Sequence, residues 1–414
     1  MEKIFEKYDD NIIRAEYRDF YPTSVLNLNT ENRKTTFSID GSDSFLDLKS
    51  TKFNISGKVV QLDGSEYPLN SNIKLENGFP SKLFSNIQLK KHGTLLEEIE
   101  NPGITSNIKG VVGFALNSNH GPTINSGYQS RFKGGGKFNV YGNLSDFGLG
   151  FFEDITQLFY KGDIQLEFTR NHDHDALFKE TNTDNTMPKD GKIIIEDFRI
   201  SFRIVKYDSM SKTLLINELV ELSEKNNYFL DFKTIKCIEV RKLSGKKCTL
   251  DITNMYRNAH DPLLGIVGLQ TNRNTSTVST QLKESSNFDH CNVRNICFEI
   301  NGEKYPEEML NIDFKNDKFG NIYDMLGDYK KVFYRTYREL PLIYTDPEQF
   351  KNSKPLFVIN LTRQPVSISD SKHTVILNID FDGDVADGTV CYICLVSSNK
   401  FVYDIIQNSI REIR

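Results

Sequence analysis

The sequence predicts an all-β chain made of two eight-stranded antiparallel β-sandwiches in tandem, with few short helices. Three observations predict it. Apolar residues recur with a period of two in stretch after stretch, as in strands with one buried face. The few helical stretches do not alternate with strands in the rhythm of a parallel sheet. A strand that runs into a glycine turn recurs about half a chain apart.

In chain order, Phe53, Ile55 and Val59 alternate with Lys52, Asn54, Ser56 and Lys58. Asp163–Arg170 follows. From Phe198 to Val205 the pattern is clean, with Phe198, Ile200, Phe202 and Ile204 on one face and Arg199, Ser201 and Arg203 on the other. Asn227–Arg241, Leu263–Asn272, Val293–Asn301, Leu356–Thr362 and Thr389–Ser397 read as further strands, as does Val375 to Phe381, where Val375, Leu377, Ile379 and Phe381 alternate with Ile376, Asn378 and Asp380. Asp63-Gly64, His92-Gly93 and Asn301-Gly302 stand between apolar runs as hairpin turns. Helices are expected only at Phe151–Tyr160, Leu214–Glu224 (Leu215, Leu219 and Leu222 on one face) and Ile322–Val332. Asn101–Gly136, His172–Gly191, Thr271–Asp289 and Tyr334–Asn352 read as long polar loops, a length that usually carries function or contacts.

The half-chain echo is Asn86-Ile87-x-Leu89-x-x-x-Gly93 against Asn295-Ile296-x-Phe298-x-x-x-Gly302. With the helix near the midpoint it divides the chain into an N-terminal arm over 1–20, a first jelly roll over 21–210, a linker helix over 211–226, and a second jelly roll with C-terminal tail over 227–414. Halves of this size suit an eight-stranded jelly roll with long loops.

Composition narrows the function. The 414 residues carry a formal charge of −5, which excludes coating nucleic acid by charge alone. With 29 Phe and 18 Tyr, two cores can be filled although hydrophobic residues are only 38%. Met1-Glu-Lys-Ile-Phe-Glu-Lys is polar from the start, and no apolar run approaches the roughly 20 residues of a membrane span. The expectation is an intracellular product whose six Cys stay reduced and whose sequons at Asn54, Asn143, Asn274 and Asn360 go unused.

No catalytic, cofactor or metal site is expected. His172-Asp-His174-Asp175 places two imidazoles on one side of an extended chain but has no third ligand, so it reads as a solvated loop. Cys391 and Cys394 sit three apart in a strand, where side chains point to opposite faces, and read as buried free thiols. Asp380, Asp382, Asp384 and Asp387 lack the Gly and Glu of a calcium loop and read as an acidic hairpin tip. Gly134-Gly-Gly-Lys137 is no phosphate loop, since Arg131 and Phe138 stand where Gly and Ser or Thr are needed.

Several segments carry a family resemblance. Phe37-Ser-Ile-Asp-Gly-Ser-Asp-Ser-Phe-Leu-Asp-Leu-Lys-Ser-Thr51 resembles the N-terminal signature of the hexon-like major capsid proteins of Polinton/Maverick elements and adintovirus-like viruses. Pro80-Ser-Lys-Leu-Phe-Ser-Asn-Ile-Gln-Leu89 is similar to their next strand, and Phe288-Asp-His-Cys-Asn-Val-Arg-Asn-Ile-Cys-Phe-Glu-Ile-Asn-Gly302 to a strand and turn of the second half. Tyr305-Pro306, the helix at Asn321–Gly327 and Phe357-Val-Ile-Asn-Leu-Thr362 follow in the family's order. The chain departs from the family in its shorter loops and in having no Trp, which leaves host and lineage open.

The resemblance implies a double jelly roll without enzymatic activity. Three copies would form a homotrimer, a pseudo-hexagonal capsomer of an icosahedral shell of a DNA virus or virus-like transposon. Its implied partners are neighbouring capsomers, penton and minor capsid proteins, with no membrane span and at most weak local contact with packaged DNA. Its implied place is the virion capsid, made in the host cytoplasm and assembled in the nucleus or cytoplasm. Residues 1–20 would then tie neighbours together under the shell, and Ser409-Ile-Arg-Glu-Ile-Arg414 would do the same or touch DNA. Two other classes stay open on the residues alone: a carbohydrate- or receptor-binding β-sandwich of spike or lectin kind, and a β-sandwich glycan hydrolase, for which no carboxylate pair is identifiable.

Overall fold

The computed structural model describes residues 5–23, 28–41, 44–68, 71–113, 127, 136–182, 185–225, 228–256, 261–273, 280–334, 346–362 and 374–413. The first half contributes β1 (Ile12–Phe20), β2 (Lys34–Ile39), β3 (Phe45–Gln61), β4 (Ile73–Leu75), β5 (Phe84–Lys91), β6 (Thr94–Glu100), β7 (Lys137–Asn143), β8 (Phe159–Tyr160), β9 (Ile164–Arg170), β10 (Leu177–Lys179) and β11 (Gly191–Tyr207). The second contributes β12 (Phe229–Val240), β13 (Lys247–Asp251), β14 (Pro262–Thr271), β15 (Val293–Ile300), β16 (Glu303–Tyr305), β17 (Leu356–Asn360), β18 (Val375–Phe381), β19 (Thr389–Asp404) and β20 (Ser409–Glu412).

Both halves have the same topology. The first half's sheets run β1-β11-β3-β7 and β2-β9-β5-β6; the second half's run β12-β19-β14-β17 and β13-β18-β15-β16. If β4, β8 and β10 are set aside, each half reads first-eighth-third-sixth in one sheet and second-seventh-fourth-fifth in the other. That is the eight-stranded jelly roll, twice. The supplementary strands are β8 on β3, β20 on β19 and the β4–β10 ribbon.

The sequence echo falls on equivalent hairpins, β5–β6 and β15–β16. Its two asparagines mark the same irregularity. The register of β5 on β9 slips between Phe84 and Asn86, and that of β15 on β18 slips between Val293 and Asn295. A bulge at this point re-aims the strand so that the apolar residues after it still face the core. Both hairpins close through a left-handed residue and a glycine, His92 (φ 47°) with Gly93 (82°) and Asn301 (52°) with Gly302 (87°). Asp63-Gly64 turns the chain at the end of β3 but joins no hairpin, because the next strand, β4, pairs with β10.

Alternation decides what each sandwich buries. Phe198, from the first five-stranded sheet, meets three rings of the facing sheet, with centroids 4.8 Å from Phe37, 5.1 Å from Phe168 and 5.5 Å from Phe84. In the second half Gly265 on β14 lies under the Phe298 ring of β15, where a Cβ would come within 2.3 Å of the ring. Any other residue there would have to displace the Phe298 ring.

The helices depart most from expectation. α1 (Phe79–Lys82) is a single turn. α2 (Pro102–Gly113) occupies the start of what reads as a polar loop. α3 is only Phe151–Asp154, since Phe159 and Tyr160 pair with Leu46 and Phe45 as β8. α4 (Ser209–Glu224) starts five residues before the expected Leu214, because the Asp208 side chain accepts from the backbone N–H groups of Met210 and Ser211. α5 is Gly320–Tyr334, and α6 (Pro347–Ser353) falls in the expected loop at Tyr334–Asn352. The arm expected over 1–20 is corrected from Phe5 onward. Phe5 and Tyr8 are buried in the first core, and Ile12–Phe20 is β1, the first strand of the jelly roll, hydrogen-bonded to β11. The mostly exposed faces of β1 hid its alternation.

Candidate functional site

The two sandwiches meet along a seam of unusually close contact. Gly150 caps the start of α3, and its ordinary helical backbone (φ −70°, ψ −27°) lies against β12 so closely that a Cβ would stand 1.6 Å from the Lys233 carbonyl oxygen. Beside it the fully buried Glu97 carboxylate of β6 accepts the backbone N–H of Gly150 (2.9 Å) and of Phe151 (3.0 Å). Burial pushes the Glu97 carboxyl up to about 7, against those hydrogen bonds and the charge of Lys109. Asp154 accepts the Lys233 N–H at 2.8 Å, and Phe151 packs edge-on against Phe232 at 5.3 Å.

A second cluster lies along the same seam. Lys82 of α1 is buried, donates to Ser285 Oγ at 2.5 Å and stands 3.7 Å from Glu76. The Glu76 carboxylate accepts Ser285 N–H (3.1 Å) and Ser286 Oγ–H (2.9 Å). Lys354 donates to the Ser286 carbonyl at 2.6 Å. Burial lowers the Lys82 amine and brings that of Lys354 down to about 8. Gln281, from the same β14–β15 connection, both donates to and accepts from the Gly191 backbone (2.9 and 3.1 Å), as a neighbouring strand would. α2 completes the joint. Ile108, Val111 and Val112 enter the second core, while Ser106 and Lys109 donate to the carbonyls of Asp146 and Ser145, both at 2.8 Å. Breaking such buried pairs leaves uncompensated charge, so the arrangement works as a rigid joint.

The surfaces are of a different kind. β1 ends its sheet, and among the described residues its far edge pairs with no other strand. It exposes Ile13 (69%) and Tyr17 (51%), with Tyr21 (58%) just beyond. Ion pairs cross the outward face of this sheet, Arg203 with Asp47 at 2.9 Å and Arg199 with Asp19 at 3.2 Å. An open groove of about 720 Å³ runs between β6 and β12, lined by Glu98, Glu100, Lys236, Glu239 and Met255 among others. Three of its carboxylates are engaged: Glu98 by Asn86 and Gln88, Glu100 by Lys236, Glu239 by Arg241.

The motifs singled out from the sequence do not converge. The His172 and His174 rings lie 5.3 Å apart, and Asp175 is 4.0 Å from His172. Among the described residues no group of three His, Cys, Asp or Glu side chains has metal-binding geometry. Asp382 pairs with Lys315 (2.7 Å) and Asp380 faces Lys247 (3.9 Å), while Asp384 and Asp387 point to solvent. Gly134 and Gly135 lie outside the described residues, as do the sequon at Asn274, Met1–Ile4 and Arg414; Lys137 opens β7. Cys391 and Cys394 are buried and free. In the C-terminal tail, Ser409–Glu412 pairs with β19 within the same chain. Sequence reading missed the seam. Asn101-Pro102, a proline at a first helical position, was the available sign of α2.

Comparison with known proteins places this architecture. The model of one protein family, described as a double jelly roll-like domain, matches residues 73–402. The chain superposes on the Faustovirus major capsid protein with a TM-score of 0.55 and 9% identity, over 97% of this chain and 90% of that one. With PBCV-1 VP54, fitted into a reconstruction of the virophage Sputnik, the TM-score is 0.56 at 8% identity, over 97% of both chains. With the PBCV-1 virus capsid it is 0.52 at 9% identity, over 94% of both. No curated protein matches the sequence. At such identities the likeness is one of fold.

Proposed function

The chain belongs to the double jelly roll-like domain family, and on that premise we propose that it is a structural major capsid protein whose homotrimer forms a pseudo-hexagonal capsomer of an icosahedral shell. The observation that carries this reading is the identical strand order in both halves, joined by a rigid seam. A threefold axis acting on two similar lobes per chain gives six lobes, a block that tiles a shell. The likeness in fold to the capsid proteins named above supports the same reading. The lobes are 21–210 together with β1, and 227–414 with its tail, bridged by α4, which stands where the linker helix is expected over 211–226. The partners are neighbouring capsomers, penton and minor capsid proteins, and the location is the virion, assembled in the nucleus or cytoplasm of the host. The resemblance at Phe37–Thr51 and Phe288–Gly302 favours the Polinton/Maverick and adintovirus-like lineage, and a structural rather than enzymatic role.

Light scattering on the purified chain, followed by negative-stain imaging, tests the proposal. The expected result is three times 47.6 kDa with a hexagonal outline. A monomer that persists across concentration and salt overturns it and makes a carbohydrate-binding β-sandwich the leading reading.

A further inference from the structure

Cys237 on β12 and Cys394 on β19 are direct partners in the antiparallel register. Partners in such a ladder have Cα atoms roughly 4.5 or 5.5 Å apart, depending on the pair type, and both values fall within the range a disulfide spans. Their side chains share a face of the sheet, the one that also carries Ile266, the partner of Cys394 on β14. The opposite face carries Gly265, which abuts Phe298 inside the sandwich. Both thiols are buried, at 1% and 0% exposure, and free. The Cys394 thiol is held well above its ordinary range, first by hydrogen bonding with Cys237 and then by burial. Cys391, three residues away, projects to the other face and has Val240 as its register partner.

The pair sits at a particular place in the fold. β12 and β19 both cross the seam. Leu230 and Phe232 of β12, with Phe401 and Tyr403 of β19, belong to the first core, while Cys237 and Cys394 belong to the second. A bond between the cysteines would staple the two strands where they pass from one core to the other.

We propose that Cys237 and Cys394 form a redox-dependent staple: a dithiol in a reducing compartment and a cross-strand disulfide once the chain meets a low-molecular-mass disulfide oxidant such as oxidised glutathione. Two S–H bonds break and one S–S bond forms. The two protons and two electrons pass to oxidised glutathione, which leaves as two glutathione thiols. The staple closes a long loop of chain, so the oxidised protein resists unfolding more than the reduced one. This does not depend on the capsid reading, since it concerns one chain.

The test is to produce the full chain in a host with an oxidising cytoplasm, where the thiols meet oxidant before burial, and in an ordinary reducing host. Thiol titration under denaturing conditions and mass spectrometry of unreduced peptides then read the outcome. The oxidised product should show two fewer free thiols than the six Cys of the sequence, a peptide linking Cys237 to Cys394, and a melting temperature roughly 4–8 °C higher that falls back on reduction. Cys237→Ser and Cys394→Ser should each abolish the link, and Cys391→Ser should leave it intact. Six free thiols in the oxidised product, or a link that joins other cysteines, overturns the proposal.

Discussion

Replacing Gly150 by alanine tests the seam with one methyl group. The backbone there is ordinary helix, φ −70° and ψ −27°, so alanine meets no torsional penalty. In an open site the change would stabilise the fold by roughly 0.4–1 kcal/mol by restricting the unfolded chain. Here the new Cβ would stand 1.6 Å from the Lys233 carbonyl oxygen, where ordinary contact begins at 3.4 Å. The obstacle is backbone on both sides, so α3 and β12 must part. Parting them strains the Glu97 hydrogen bonds to Gly150 and Phe151, the Asp154 bond to Lys233 N–H and the Phe151–Phe232 contact. The expected loss is about 3 kcal/mol or more, the upper end for overpacking, with a sign opposite to that of an unobstructed Gly→Ala. The assay is urea unfolding, with Gly136→Ala as control because nothing lies within 4 Å of a Cβ there. If Gly150→Ala unfolds at or above the midpoint of the unsubstituted chain, the seam is not the close joint described.

Two further outcomes are expected. Glu97 has a folded pKa of about 7, above the ordinary 4.5. Its contribution to stability is therefore fully present below pH 4.5 and is lost as pH rises through about 7, on the order of 3 kcal/mol in all. Urea unfolding across that window should show this slope, and Glu97→Gln should flatten it; an equal slope in the variant would put the titration elsewhere. Phe198→Ala removes the ring that meets Phe37, Phe168 and Phe84 and should cost about 3–5 kcal/mol, measurable as a lower denaturant midpoint. A loss under 1 kcal/mol would mean that the facing sheets close over the gap.

The strands were legible because a buried face imposes a period of two. Phe198, Ile200, Phe202 and Ile204 announce their sheet, and Asn301-Gly302 announces its hairpin through the left-handed backbone the turn requires. β1 was illegible for the converse reason: with both faces largely exposed, its sequence carries no alternation to read. α2 was illegible because its buried residues include the polar Thr105, Ser106, Asn107 and Lys109; Ser106, Asn107 and Lys109 donate to the distant carbonyls of Asp146, Ser285 and Ser145. The seam clusters share that property. Nothing in a linear sequence brings Glu97 to Gly150, or Glu76 to Ser286, and the second pair meets only after both sandwiches have formed.

The polarity of the seam also bears on why the lobes are fused rather than merely adjacent. Two jelly rolls pressed together through apolar faces alone could slide or rotate at modest cost, because hydrophobic contact is not directional. At this joint a displacement of one hydrogen-bond length would break the bonds that cross it, from Lys82 to Ser285 and from Ser285 and Ser286 to Glu76, and leave two buried ions short of partners, at a cost of several kcal/mol for each. The charged seam adds little net stability over an apolar one, but it admits one relative placement of the lobes. A capsomer with near-sixfold outline requires this restriction. In the homotrimer proposed above a threefold axis would relate alternate lobes by symmetry, and the seam inside each chain would set the angle between its two lobes.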